Sequence, residues 1–145
     1  MAAGDRVIAL GLDGKPRQVF ASDGVFFFGE PVVVDDLVVV HGSENPNDTE
    51  PSNFVYALDR ASLTPRWRAA AGTGMVISCD TCGLATDGQH VIAGGFDGTL
   101  RAFDLGSGQT AWSTFLQGDL LRSRPIVSGE VAYVTSPDCS VAVAS

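Results

Sequence analysis

The sequence predicts an all-β fold, and three observations carry that expectation. Apolar residues come in short runs, turn residues separate the runs, and the resulting strand–turn–strand units recur along the chain. Glycine is abundant, with 17 copies, and this spacing favours many brief strands over long helices.

In chain order, Val7-Ile8-Ala9-Leu10 reads as a strand, followed by the turn Asp13-Gly14 and a second strand near residues 17–20. Ser22-Asp23-Gly24 leads into an aromatic run, Phe26-Phe27-Phe28. Residues 31–34 and 37–40 form a hairpin around Asp35-Asp36. Residues 43–53 carry two prolines and no apolar periodicity, the pattern of a surface loop. Phe54-Val55-Tyr56-Ala57-Leu58-Asp59 and Arg66-Trp67-Arg68 then repeat the strand–turn–strand pattern. Leu84-Ala85-Thr86 and Val91-Ile92-Ala93 flank Asp87-Gly88. The clearest unit runs from Val91 through the Asp97-Gly98 turn, Leu100-Arg101-Ala102-Phe103 and Gly106-Ser107-Gly108 to Trp112. The tail adds Pro125-Ile126-Val127, the turn Ser128-Gly129, and strands at 131–134 and 141–144.

At 145 residues, 45% of them apolar and 18% charged, the chain suits one folded domain. No apolar run approaches the roughly 20 residues of a membrane span. Met-Ala-Ala-Gly-Asp-Arg lacks a basic-then-apolar leader, so a secretory signal is not expected within it. A formal net charge of -8 argues against nucleic acid and against anionic membrane as partners, because neutralising phosphates requires clustered Lys and Arg. The nine basic residues are scattered except for Arg66/Arg68 and Arg122/Arg124, pairs that share a strand face near solvent. Three cysteines, Cys79, Cys82 and Cys139, are too few for a disulfide scaffold and leave the redox compartment open.

Ala57, Asp59 and Trp67 recur as Ala102, Asp104 and Trp112 after a shift of 45. The block 91–103 meets 132–144 after a shift of 41, and Ala9 meets Ala57 after 48. Matching 38–42 to 91–95 needs 53, and the loop at 43–53 absorbs the excess. A period of about 40–50 residues carrying four short strands marks propeller blades. The expected fold is a partial β-propeller of about three four-stranded antiparallel blades. It forms one segment over 1–145, with a partial blade 1–21, blades 31–70 and 83–116, and a partial blade 125–145. Strands covered on both faces can be wholly apolar, as Val32-Val33-Val34 and Val38-Val39-Val40 are. Propellers typically have four to eight blades, so three leave faces or edges open. The segment is then completed by the rest of a longer chain or by further copies of itself.

The runs Tyr56-Ala57-Leu58-Asp59…Trp67 and Gly98-Thr99-Leu100-Arg101-Ala102-Phe103-Asp104-Leu105-Gly106-Ser107-Gly108…Trp112 resemble the repeat of pyrroloquinoline-quinone (PQQ)-like β-propellers. Asp97-Gly98-Thr99-Leu100-Arg101 would also suit a WD-repeat propeller, but Phe103 stands where such repeats usually place Trp. In the PQQ-like pattern, Ala57 and Ala102 leave room for a neighbouring sheet. Asp59 and Asp104 bond turn amides, and Trp67 and Trp112 glue blades without catalysing anything. The resemblance implies that ligands or partners meet the connections at 22–30, 72–83 and 117–124, through Phe26–Phe28, Met75, Cys79, Cys82 or Arg122. Packing between blades is the competing reading for the phenylalanines.

Cys79-Asp80-Thr81-Cys82 is followed by Gly83, so covalent haem attachment is not supported, and no second Cys pair completes a zinc site. The adjacent-cysteine disulfide of quinoprotein dehydrogenases does not match a two-residue gap. A local Cys79–Cys82 disulfide and free thiols both stay open. His41 and His90 fall at strand edges, lack a spaced partner and read as structural or solvent-facing. The oxygen-rich loop 43–53 lacks ordered Ca²⁺-loop spacing, and Asn47-Asp48-Thr49 is a glycosylation sequon. No catalytic residue, metal site or cofactor is expected, and cofactor-binding positions cannot be assigned. The reading is a protein-interaction or scaffolding segment, with a PQQ-dependent dehydrogenase fragment or a non-functional truncated propeller as alternatives. Its expected partner is a protein or the rest of a longer propeller, with homo-oligomerisation open and membrane insertion not expected. Only the family resemblance implies an extracytoplasmic location.

Overall fold

The structure is a computed structural model that describes residues 4–74, 82–116, 124–135 and 141–144. Among the described residues, four antiparallel sheets follow one another in chain order, with no helix. The first holds β1 (Arg6–Leu10) and β2 (Pro16–Ala21). The second holds β3 (Val25–Val34), β4 (Leu37–Glu44), β5 (Ser52–Asp59) and β6 (Pro65–Thr73). The third holds β7 (Ala85–Thr86), β8 (His90–Gly94), β9 (Thr99–Asp104) and β10 (Thr110–Phe115), and the fourth β11 (Ile126–Ser128), β12 (Val131–Thr135) and β13 (Val141–Ala144). Each sheet is a meander whose strands lie in sequence order. The opening strands β3, β7 and β11 adjoin one another, so the sheets fan out from a common side as propeller blades do.

Three apolar layers lie between consecutive sheets. Val7, Phe27, Val40 and Leu58 fill the first, with Phe20 packed against them. Val39, Val55, Ala57, Leu84, Val91 and Phe103 fill the second, and Ile92, Leu100, Ala102, Ala132 and Val134 the third. Alternate residues of one strand therefore serve two cores: Val39 faces one way and Val40 the other. Covering on both faces is why the interior strands can be continuously apolar.

Two boundaries differ from the sequence expectation. The run Phe26–Phe28 forms the first half of β3 instead of a connection; Phe27 is fully buried, Phe28 nearly so, and Phe26 is 37% exposed. The loop at 43–53 is shortened from both sides, because β4 continues to Glu44 and β5 starts at Ser52, pairing Ser43 with Asn53. Ladder hydrogen bonds carry these polar residues into the sheet, where both side chains are buried.

Gly29 marks the break in β3, where the register against β4 shifts. It has φ 75°, and a Cβ there would collide with the Cys82 carbonyl. That close approach carries the bond from the Glu30 amide to the Cys82 carbonyl (3.0 Å) and the parallel bridge between Glu30 and Gly83, which tie the second sheet to the third. Gly29→Ala is expected to destabilise the fold by about 2 kcal/mol or more, read as a midpoint lowered by roughly 5 °C in thermal unfolding followed by circular dichroism.

Candidate interaction site

The turn after the third strand of each four-stranded sheet is built the same way twice. Asp59 Oδ1 accepts from the Ala61 and Ser62 amides (2.9 Å each) and from Ser62 Oγ (3.0 Å). Asp104 Oδ1 accepts from the Ser107 amide and Ser107 Oγ (2.8 Å each). Both turns close with the aspartate amide donating to a carbonyl five residues on, Thr64 or Gln109 (2.8 Å each). Their tight position needs positive φ, supplied by Gly108 (72°) and by Leu63 (55°). Leucine carries no turn signal in the sequence, and its buried side chain, 3% exposed, holds it there instead.

The second turn is where the sheets lock. Trp67 Nε1 donates to the Leu105 carbonyl (2.8 Å), and its ring lies against Gly108, where a Cβ would come within 2.6 Å of the indole. Ala57 and Ala102, both fully buried, stand opposite Trp67 and Trp112 across their strand pairs. Trp112 packs half-buried against the layer containing Ala102 and Ala132. The turns also shape charge: hydrogen bonds from Arg66 and Ser62 pull the pKa of Asp59 down to about 2, and Ser107 lowers that of Asp104.

Among the described residues the arginines are largely paired with acidic side chains. Arg66 bonds Asp36 (2.8 Å) and Asp59 (2.5 Å), while Arg68 bonds Glu44 and lies 4.3 Å from the Phe54 ring centre. Arg101 pairs with Asp97 (2.6 Å) and donates to the Ala71 carbonyl (3.2 Å), linking third sheet to second. Desolvation opposes ionisation of Asp97, yet the Arg101 guanidinium and the Thr99 amide outweigh it and lower its pKa.

On the side where β3, β7 and β11 adjoin, Glu30 and Arg124 form an ion pair (3.0 Å). Beside it a cavity of about 370 Å³ is walled by Val32, Ala85, Thr86 and residues 124–127. Cys82, 1% exposed and disulfide-bonded, packs with Phe28 and Phe96. Met75, Cys79 and Arg122 lie outside the described residues, as does Cys139.

The two histidines differ. His90 Nδ1 lies 2.9 Å from Asp87 Oδ2 in the β7–β8 turn. His41, expected at a strand edge, instead sits inside β4, 2% exposed, with the Phe28 ring edge-on at 5.3 Å. Among the described residues neither ring nitrogen of His41 has a hydrogen-bond partner, nor have Ser43 Oγ and Asn53 Oδ1, whereas Asn53 Nδ2 donates to the Gly74 carbonyl (3.1 Å). Counting by twos from Val39 would have placed His41 and Ser43 on a buried face, but the polarity of 43–53 masks that period.

A family model described as outer membrane protein assembly factor BamB matches residues 29–145. Among solved structures, BamB from Moraxella catarrhalis superposes with a TM-score of 0.70 at 23% identity, over 97% of this chain and 40% of that one. The computationally designed Ika4 protein gives 0.56 at 14% identity, over 86% and 81%, and the designed Ika8 protein 0.56 at 15%, over 85% and 40%. These likenesses establish the fold, and the chain spans 40% of the BamB structure's length. No curated protein matches the chain significantly. Among the described residues no helix is long and apolar enough to cross a membrane.

Trp67→Ala is expected to cost about 3 kcal/mol and Trp67→Phe less; both lose the indole bond to Leu105, so the difference reports the ring packing that phenylalanine retains, and denaturant titration measures both. Acid sensitivity follows from His41, whose pKa burial lowers to about 4. Between pH 6.5 and 4 the unfolded chain takes up the proton first, so stability falls with falling pH by about 3 kcal/mol, and His41→Phe flattens that part of the profile.

Proposed function

The chain belongs to the PQQ-like β-propeller family represented by outer membrane protein assembly factor BamB, and from that premise we propose that it is a non-catalytic propeller segment that engages protein. The observation that carries this reading is the state of its two end sheets. The first has two strands and the fourth three among the described residues, against four in each sheet between them. Their inward faces are packed, but their outward faces show Ile8 (49% exposed), Leu10 (63%) and Val19 (53%) at one end and Ile126 (65%) and Tyr133 (44%) at the other. Ile8 pairs with Val19, and Ile126 with Tyr133, so each set lies on one face of its sheet. In a propeller such faces are covered by the next blade. Further propeller sheets, from a longer polypeptide or a partner, are the occupants this chemistry fits.

An extracytoplasmic location is part of the proposal. It draws support from the outer-membrane description of the matching family and from the disulfide at Cys82, since such bonds persist in oxidising compartments. We assign the bond to Cys79, three positions away in Cys79-Asp80-Thr81-Cys82.

Three measurements test this. The chain self-associates at micromolar concentration in sedimentation equilibrium, and Ile8→Lys with Val19→Lys reduces that association without changing the circular dichroism spectrum; an unchanged mass distribution counts against the exposed face. Added PQQ and Ca²⁺ give no bound-quinone absorbance, whereas turnover of an alcohol overturns the non-catalytic reading. Non-reducing peptide mapping yields a loop-linked peptide containing Cys79 and Cys82, and a Cys82–Cys139 crosslink would reverse the assignment.

A further inference from the structure

The packing of the second sheet against the third changes character along its length. Val39, Val55 and Ala57 make it dry and apolar, whereas one step further along the same face come His41, Ser43 and Asn53. His41 and Ser43 are two residues apart on β4, so they share a face. Asn53 stands directly opposite Ser43, Val55 opposite His41 on β5, and Phe28 opposite His41 on β3. Phe28 packs with Cys82 and Phe96 beyond the second sheet, so the polar patch lies beside that packed end of the layer. All three polar residues are at least 98% buried, and among the described residues four of their atoms find no partner: both imidazole nitrogens of His41, Ser43 Oγ and Asn53 Oδ1.

We propose that this end of the layer is an internal hydration site, holding one or two ordered waters bridging His41, Ser43 and Asn53. The unmatched groups select the ligand. A neutral imidazole offers one donor and one acceptor, the serine hydroxyl offers both, and the asparagine oxygen only accepts. Water, with two donors and two acceptors, complements such a mixed set. A metal cation is a poorer occupant, because the cluster contains no carboxylate; Glu44, next in sequence, is bound to Tyr56 (2.9 Å) and Arg68. An anion finds no charge there, since the buried imidazole is neutral at pH 7. Cross-strand neighbours such as Ser43 and Asn53 have Cα atoms about 5 Å apart and alternate residues about 7 Å apart, spans that one or two waters bridge.

The test uses the full chain, isotope-labelled, at pH 7. Water-selective nuclear Overhauser spectra are expected to show a cross-peak of slow-tumbling sign between water and the His41 ring protons, and imidazole ¹⁵N shifts are expected to show both nitrogens hydrogen-bonded. A high-resolution crystal structure is expected to place a solvent peak within hydrogen-bond distance of His41 and of Ser43 Oγ or Asn53 Oδ1. Ring nitrogens with the shifts of unbonded imidazole, no water cross-peak in a folded sample, or direct bonds from these side chains to other protein groups would overturn the proposal. A Ser43→Ala variant is expected to stay folded while the cross-peak to the His41 ring weakens at least twofold. An unchanged cross-peak rejects a site shared among the three residues.

Discussion

The bond from Trp67 to the Leu105 carbonyl is the contact on which the stacking of the two complete sheets depends. Apolar burial favours closeness without favouring an angle, and the layers of valine, leucine and alanine between these sheets would tolerate sliding. A donor on a rigid bicyclic ring, aimed at one backbone carbonyl, sets both distance and direction. The carbonyl is presented by a turn that Asp104 holds in place through Ser107, and Gly108 leaves the indole room to lie on that turn. Asp104 thus acts on the interface indirectly, by holding the turn that receives the ring.

Secondary links reinforce the same geometry at other depths. The Glu30 amide bonds the Cys82 carbonyl, Arg101 reaches the Ala71 carbonyl, and Glu30 pairs with Arg124 of the segment leading into the fourth sheet. Each joins different sheets through a polar group aimed at a fixed acceptor. The exception is the end of the layer at His41, Ser43 and Asn53, where polar atoms are buried without partners among the described residues. Left unpaired, such buried groups would cost about 1–3 kcal/mol each, which is the physical reason to expect water there.

Arg17, Arg66, Arg68, Arg101 and Arg124 are each committed to a carboxylate, so the acidic character of the chain dominates its exterior. Exposed apolar faces on the end sheets and the cleft beside Val32 and Ala85 remain the features suited to contact with another protein surface. A scaffold of this kind supports many roles, so the site, not the propeller, must decide among them.

Strand order and repeat period were legible in the sequence because turn chemistry is local. Asp59 and Asp104 announce their turns, and Trp67 and Trp112 recur at a fixed offset from them. The break at Gly29, the positive φ of Leu63 and the burial of His41 were not, since each depends on what a distant segment brings to that spot. Phe26–Phe28 became strand because β4 was there to pair with, and Ser43 and Asn53 became interior because the ladder continued past them. Thus residue type and spacing by themselves determined four short-stranded sheets and their turns. Which polar groups face inward, and which glycine lies beneath a neighbour's carbonyl, was decided only when the sheets stacked, because close packing joins residues that the chain keeps dozens of positions apart.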